Sequence, residues 1–316
     1  MGKTVATETD RADTDDSGGD DADGVAAGAL APGLYVVATP IGNLGDMTER
    51  AVAVLRAADR IACEDSRVTR KLAQRFAIHT PMTAYHDHSA PAVRARLLDD
   101  LAQGARIALV SDAGTPLLAD PGYKLVADVV AARIPVIPIP GASALLAALT
   151  VAGLPTDRFL FAGFPPPKQA KRQKAFGAVA AEPGTLVFYE SPQRLAACLA
   201  DMARAFGARS ACVCREMTKR FEEVRRGPLD ALADHYAQAG APKGEVVIVV
   251  AGAAPETADD ARLDALLADA LATLSVREAA HAVAWVTGLP RRTVYNRALR
   301  LADDGAGTAD RNRGGD

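Results

Sequence analysis

The chain has 316 residues, 39 acidic and 36 basic side chains and a net charge of −3, with hydrophobic residues making up 49% and aromatics only 5%. That length supports about two domains with full cores, and the cores must be built from Leu, Val, Ala and Ile. No run of 18 or more apolar residues occurs, and the start lacks the basic and apolar blocks of a secretion signal, so the expected setting is cytoplasmic, with no membrane partner.

Residues 1–30 carry eight acids (Glu8, Asp10, Asp13, Asp15, Asp16, Asp20, Asp21, Asp23) against Lys3 and Arg11, with little that can be buried. Residues 1–32 are therefore expected to form a disordered acidic tail. The remaining chain is then mildly basic, at +3. Leu34 to Thr39 reads as a strand, followed by the turn-rich Pro40-Ile41-Gly42-Asn43-Leu44-Gly45-Asp46 and a helix with Asp46 as its expected cap. Arg60 to Cys63 is a strand ending at Glu64-Asp65-Ser66-Arg67, and a basic helix runs to about Arg75. Met82 to Tyr85 is a strand, and Ser89 with Pro91 opens a helix that stops at Gly104.

The stretch from Arg106 to Gly122 is the densest in information. An apolar strand runs into Ser111-Asp112-Ala113-Gly114-Thr115-Pro116-Leu117-Leu118-Ala119-Asp120-Pro121-Gly122, and a helical pattern follows from Tyr123 to Arg133. In open α/β sheets ligands lie beyond the carboxyl ends of the strands, where such loops sit. Glycine permits close backbone approach, and proline keeps a loop stiff. Ile134 to Ile139 is a strand leading to Pro140-Gly141-Ala142-Ser143 and a small-residue helix to Ala152. Repeated β–loop–α units predict a mostly parallel sheet for 33–153.

Gly153-Leu154-Pro155 reads as a hinge into a second α/β domain over 154–252. Its elements are a strand at 158–164, a basic helix at 168–180, a strand at 185–190 and a helix that opens at Ser191-Pro192 and ends near Gly207. A strand pair at 210–217 and 221–226, a helix at 229–238 and a strand at 245–251 complete it. Parallel and antiparallel pairings should mix there. A polar linker at 253–260 leads to a small helical unit at 261–303, with a capping box at Ser275–Glu278 and a glycine turn at Thr287-Gly288-Leu289-Pro290 before a basic helix. Helix, turn, basic helix is the outline of a helix-turn-helix. Residues 304–316 are expected to be a disordered tail.

Three basic clusters point to a polyanion: Arg67, Arg70, Lys71 and Arg75; Lys168, Lys171, Arg172 and Lys174; and Arg291, Arg292, Arg297 and Arg300. Cys63, Cys198, Cys212 and Cys214 are expected to be free thiols, with Cys212 and Cys214 on one face of a strand. Neither that pair nor His86-Asp87-His88 has enough neighbouring ligands for a metal site. No G-x-x-x-x-G-K-[ST] loop, no G-x-G-x-x-G after a strand and no G-x-S-x-G elbow is present, which argues against the common nucleotide sites and the serine-hydrolase elbow.

Six motifs in order carry a resemblance: Tyr35 to Asp46, Glu64-Asp65-Ser66-Arg67, Ser111 to Gly122, Pro140-Gly141-Ala142-Ser143, Phe188-Tyr189-Glu190-Ser191-Pro192 and Arg215-Glu216-Met217-Thr218-Lys219. Together they resemble the tetrapyrrole-methylase superfamily and, within it, its ribose 2′-O-methyltransferases of 16S rRNA. The likeness covers about 33–252 and extends to the helical unit. It implies a two-domain α/β fold, S-adenosylmethionine (SAM) held between the domains, a cytidine of the small ribosomal subunit as acceptor, and a homodimer. Carried over by position, the donor site comprises Pro40, Ile41, Asp112, Gly114, Thr115, Pro116, Ser143, Ala144, Glu190, Ser191, Pro242, Lys243 and Gly244. Lys219, Glu190, Asp65 and Glu216 are the catalytic candidates, and the sequence does not choose a base among them. Arg67, Arg70, Lys71, Lys168, Lys171, Arg172, Arg291, Arg292 and Arg297 are the expected RNA contacts. The rival readings are a methylase of tetrapyrrole carbons and a non-catalytic SAM sensor that binds nucleic acid.

Overall fold

The computed structural model describes residues 30–86, 91–120, 122–254 and 260–311, with side chains left out at 260 and from 303 onward. The expected acidic tail up to residue 29, Asp87 and His88, the Ser89 helix start, Pro121 and most of the 253–260 linker lie outside the described residues. The chain divides into two compact units. Among the described residues, one holds 30–39 together with those of Gly45–Gly141, and the other holds Pro40–Leu44 and those from Ala142 onward.

The first unit is a five-stranded parallel sheet of β1 (Gly33–Val37), β2 (Arg60–Cys63), β3 (Met82–Ala84), β4 (Arg106–Val110) and β5 (Val136–Ile139) in the order β3-β2-β4-β1-β5. Helices α1 (Glu49–Ala57), α2 (Ser66–Arg75), α3 (Pro91–Ala102) and α4 (Tyr123–Ala131) connect the strands. Because a parallel sheet is covered on both faces, its central strands are apolar beyond the arginines that open β2 and β4. Tyr35, Val37, Ile61 and Cys63 pack with Val54, Leu55 and Leu72 on one face. Leu34, Ala62, Ile107 and Leu109 pack with Leu97, Leu101, Leu125 and Val129 on the other. Leu30 packs on the first of these clusters and the Tyr35 hydroxyl donates to the Ala31 carbonyl at 2.7 Å, so ordered chain begins earlier than the expected residue 33. Asp46 does not cap α1. It ends a short 3-10 turn, and Thr48 takes the cap, its hydroxyl accepting the Ala51 N–H at 3.1 Å. The extended backbone of Thr48 suits that position, whereas Asp46 is already committed to the turn.

The second unit is a mixed sheet of β6 (Phe159–Gly163), β7 (Thr185–Glu190), β8 (Ser210–Arg215), β9 (Glu223–Pro228) and β10 (Val246–Val250) in the order β6-β7-β10-β8-β9. Only β6 and β7 are parallel, and the other three pairings are antiparallel. Alternation sorts β7, β8 and β10. Leu186, Phe188, Val213 and Ile248 face α6 (Gln169–Ala178), α7 (Leu195–Phe206) and α8 (Leu229–Ala239). Helix α5 (Ala144–Ala152), which the sequence placed before the hinge, packs against β8, β9 and β10 of this sheet. Arg226 of β9 donates from Nε to the Val151 carbonyl at 3.1 Å at the end of that helix. Cys212 and Cys214 share a strand face as expected, buried with their sulfurs 3.6 Å apart.

The strand pair β8–β9 is shifted from its expected limits. β8 stops at Arg215 rather than Met217 because Glu216 and Thr218 take left-handed backbone (φ 52° and 67°), and β9 starts only at Glu223. A non-glycine residue in that region costs roughly 1–2 kcal/mol, so the turn between these strands must be held by its contacts.

Helices α9 (Asp260–Leu271), α10 (Val276–Thr287) and α11 (Arg291–Arg311) share their own core of Leu263, Leu267, Ala280, Val283, Val294 and Ala298. The expected capping box is present, with the Glu278 N–H donating to the Ser275 hydroxyl and the Ser275 N–H to the Glu278 carboxylate. α10 ends at Gly288 in left-handed conformation. α11 continues to Arg311, into the stretch expected to be a disordered tail, since extending a formed helix costs far less than starting one.

Arg172 corrects another expectation. It is buried against Asp201, which is itself fully buried and accepts from Arg172 Nε at 2.8 Å, Gln169 at 3.2 Å, Gln173 at 3.1 Å and Arg204. Arg172 lies on the same helix face as Phe176, one turn on, and ties α6 to α7 instead of reaching a phosphate. Removing one member of a buried pair strands the other charge. Asp201→Ala is therefore expected to lower unfolding free energy by about 3–5 kcal/mol, measurable by urea denaturation. A loss below about 1 kcal/mol would show that water reaches and satisfies the guanidinium.

Candidate active site

In the first unit the site residues sit at the carboxyl ends of β2 and β4. Loop 111–120 is anchored by a two-way backbone pair: the Thr39 N–H donates to the Gly114 carbonyl at 2.9 Å, and the Gly114 N–H to the Thr39 carbonyl at 3.0 Å. Gly114 has φ +80°, and Leu117 and Ala119 are also left-handed. Gly122 has φ +128°, a backbone conformation that favours glycine, and a Cβ there would also press on the Leu117 and Leu109 methyls, at 2.9 Å and 3.0 Å. Asp112 accepts the Asp65 N–H at 2.9 Å, which joins the β4 loop to the β2 end.

Asp65 is the N-cap of α2 and accepts the Arg67 N–H at 2.8 Å. The Arg67 guanidinium grips the same carboxylate and holds its pKa down to about 2. Asp65 is therefore a poor proton acceptor near neutrality. Two carboxylates not singled out in the sequence complete the cluster. Burial, reinforced by Asp112, raises Glu64. Burial raises Asp120 to about 6, with Ser111 opposing the shift and Glu64 and Asp112 adding to it. Their sequence signal was only position, one directly after β2 and the other at the far end of the loop.

In the second unit the left-handed turn after β8 presents Lys219. Its Nζ lies 2.8 Å from Glu216 Oε1 and 2.8 Å from Glu245 Oε2. The Glu245 N–H donates to Glu216 Oε1 at 3.1 Å, and the Asn43 N–H donates to Thr218 Oγ1 at 3.2 Å. Two glycines make room for this clamp. A Cβ on Gly42 would sit 2.4 Å from Lys219 Cγ, and one on Gly244 would sit 2.2 Å from Glu216 Cδ. Partial burial disfavours the ammonium, but the carboxylates of Glu216 and Glu245 outweigh it and hold the Lys219 pKa above its ordinary value. The same contact with Lys219 lowers Glu216. Lys219 is thus a fixed cation suited to stabilising negative charge, and Glu216 is a weak base.

Glu190, at the end of β7, is buried and accepts the Ser191 N–H at 2.7 Å and Arg194 Nε at 2.7 Å through Oε1, with Arg194 Nη2 at 2.8 Å from Oε2. Both of its oxygens are occupied by the chain itself. Pro40 and Ile41 are buried, while Lys243 and Gly244 are exposed next to the half-buried Pro242. Ser143 is buried at the start of α5 and makes no cap bond to that helix. Thr115 is half-buried, Pro116 is buried, and Ala144 is half-buried at the first turn of α5. The structure therefore gathers Lys219, Glu216 and Gly244 with Gly42 and Glu245, and separately Asp65, Asp112 and Arg67 with Glu64. Of the basic clusters, Arg67, Arg70, Lys71, Lys168, Lys171, Arg291 and Arg292 are exposed. Arg297 pairs with Asp264 at 2.6 Å.

Asp120 yields a pH test. Its folded pKa of about 6 lies above an ordinary carboxylate, so its contribution to stability is present below about pH 4 and lost as pH rises through 6. Asp120→Asn should leave thermal stability unchanged near pH 4 and raise it by at most on the order of 1 kcal/mol at pH 7–8, since water screens this half-buried carboxyl. A difference that does not grow across that interval would mean Asp120 ionises normally.

Comparison with known proteins agrees with this architecture. Residues 33–233 match the family model of tetrapyrrole (corrin/porphyrin) methylases, and residues 257–302 match that of the RsmI C-terminal HTH domain. The chain is 50% identical over 87% of its length to ribosomal RNA small subunit methyltransferase I of Mesorhizobium japonicum, covering 94% of that protein. It is 47% identical over 86% of its length to the protein of the same name from Synechocystis, covering 99% of it. Among solved structures, the methyltransferase CobJ superposes with a TM-score of 0.52 at 20% identity, over 70% of this chain and 94% of that one, which shows the shared fold. With the parallel first sheet, the mixed second sheet and the three-helix C-terminal unit all present, the chain belongs to the tetrapyrrole methylase family and, within it, to the ribosomal RNA small subunit methyltransferase I group.

Proposed function

We propose that this chain methylates the ribose 2′ oxygen of a cytidine in 16S rRNA of the small ribosomal subunit, with SAM as donor. The observation that carries this reading is the 50% identity spanning nearly the whole length of a relative named for small-subunit rRNA methylation. The residues present fit a donor of this kind. The first turn of α5 keeps its N–H groups uncapped by Ser143, and loop 111–120, pinned at Gly114 by Thr39, bends through left-handed Leu117 and Ala119. Asp112, Gly114, Thr115, Pro116, Ser143, Ala144, Ser191 and Pro242 to Gly244 would hold it, with Pro40 and Ile41.

When bound, SAM supplies a methyl group already activated by its sulfonium, so orienting the acceptor should account for much of the rate. The transfer forms one C–O bond, breaks one S–C bond and releases the hydroxyl proton. None of the carboxylate candidates is built as a strong base. Asp65 is held by Arg67, Glu216 by Lys219, and Glu190 by Arg194. The fixed ammonium of Lys219 instead lowers the cost of negative charge on the ribose oxygen, and water takes the proton. Arg67, Arg70, Lys71, Lys168, Lys171, Arg291 and Arg292 would carry backbone phosphates of a splayed single strand. A cytoplasmic homodimer completes the reading.

The test is methyl transfer from labelled SAM to small subunits, with naked 16S rRNA and a tetrapyrrole precursor in parallel, followed by nucleoside digestion. Label in 2′-O-methylcytidine is expected, and label in the tetrapyrrole alone overturns the proposal. Lys219→Ala should lower kcat by about 100-fold or more while SAM binding by calorimetry stays within a few-fold. Unchanged turnover removes Lys219 from the chemistry.

A further inference from the structure

The C-terminal helices carry a feature that their own packing does not use. α10 buries Ala279, Ala280, Val283 and Thr287 against its neighbours. Its opposite face exposes Trp285 at 73%, and Val286, at the edge of the buried face, is 71% exposed. Trp285 is the only tryptophan of the chain. His281, also exposed, precedes it by one helical turn and so lies beside it on the surface. Two residues beyond Trp285 the helix ends, and α11 begins with Arg291 and Arg292, both exposed, with Tyr295 at 38% one turn further on. From Ala279 to Arg300 the sequence holds no acid, and Arg297, the member of this cluster that points inward, is neutralised by Asp264.

We propose that this exposed stretch, from Trp285 to the start of α11, is a stacking platform for single-stranded RNA, with Trp285 taking a base and Arg291 and Arg292 taking adjacent phosphates. The inference rests on the rRNA-acceptor reading above and specifies how the C-terminal unit would engage that strand. An exposed indole is costly to leave in water and has a flat apolar face that matches a base. Aromatic faces interleaved with exposed arginines are what single strands require. Duplex backbone needs only the cations and leaves the indole unused. A second copy of this chain is disfavoured as occupant, because a symmetric interface would bring together two sets of exposed arginines that have no acidic partner among the described residues. At most about 20 Å of chain separates Trp285 from Arg291, a span that a few nucleotides cover.

The lone tryptophan makes the test direct. The full chain is titrated with a single-stranded oligocytidylate of about 12 nucleotides, a length such surfaces cover, and with a duplex RNA of equal length. Quenching of tryptophan emission by the single strand is expected, with weak or no quenching by the duplex. By anisotropy of labelled RNA, Trp285→Ala should weaken single-strand binding by about ten-fold or more, and Trp285→Phe should restore most of it. Circular dichroism and sedimentation of each variant accompany the titrations. Single-strand binding that is unaltered by Trp285→Ala, or equal quenching by duplex, overturns the platform. So does a change of oligomeric state in Trp285→Ala, which would mark the patch as a protein interface. If small subunits are methylated normally while Trp285 proves silent, only this inference fails. If there is neither methylation nor RNA binding, the acceptor reading fails with it.

Discussion

The reciprocal backbone pair between Thr39 and Gly114 is the interaction on which the first unit's site depends. It joins the chain leaving β1 to the loop leaving β4, two adjacent parallel strands whose carboxyl ends must lie on the same edge. Each bond contributes only about 1 kcal/mol, but the pair fixes where the loop starts. Left-handed Leu117 and Ala119, each costing of the order of 1–2 kcal/mol, persist only because both ends of the loop are held. The far end turns at Gly122, whose φ of +128° favours glycine and whose Cβ position is crowded by Leu109 and Leu117.

The second unit stores strain in the same way and spends it differently. Glu216 and Thr218 are forced out of β8, and this places Lys219 between two carboxylates and over Gly42. A flexible lysine becomes a positioned charge because Glu216 and Glu245 orient its Nζ and the two glycines admit its stem and its partner. Electrostatic stabilisation works through such prior orientation, since no reorganisation is then needed as charge develops. The carboxylates nearby are tied to cations, which makes a fixed positive charge, rather than a strong base, the chemical resource of this turn.

The sequence and the tertiary structure divide the credit unevenly. Strand positions, the capping box and the glycine-ended α10 were legible because periodicity and caps act over a few residues. The six ordered motifs identified the superfamily and the residues to examine. The pattern of Lys168, Lys171, Arg172 and Lys174 points to a polyanion, yet Arg172 is buried, since nothing local reveals that α7 supplies Asp201, 29 residues later. The placement of α5 on the second sheet was hidden for the same reason: Gly153 marks a turn in the chain but carries no information about which sheet covers the helix before it.

The sequence by itself determined the two α/β sheets, the helical appendix, the family and the loops that carry the candidate site, because these follow from local pattern and motif order. Only the tertiary structure decided how the charged groups are paired. It decided that Asp65 and Glu216 are held as weak bases, that Glu190 is occupied by Arg194, and that Asp120 is raised by burial. The reason is physical: a side chain's charge state is set by the dielectric and the partners that packing brings within a few ångströms, and those partners come from strands and loops far apart in the chain.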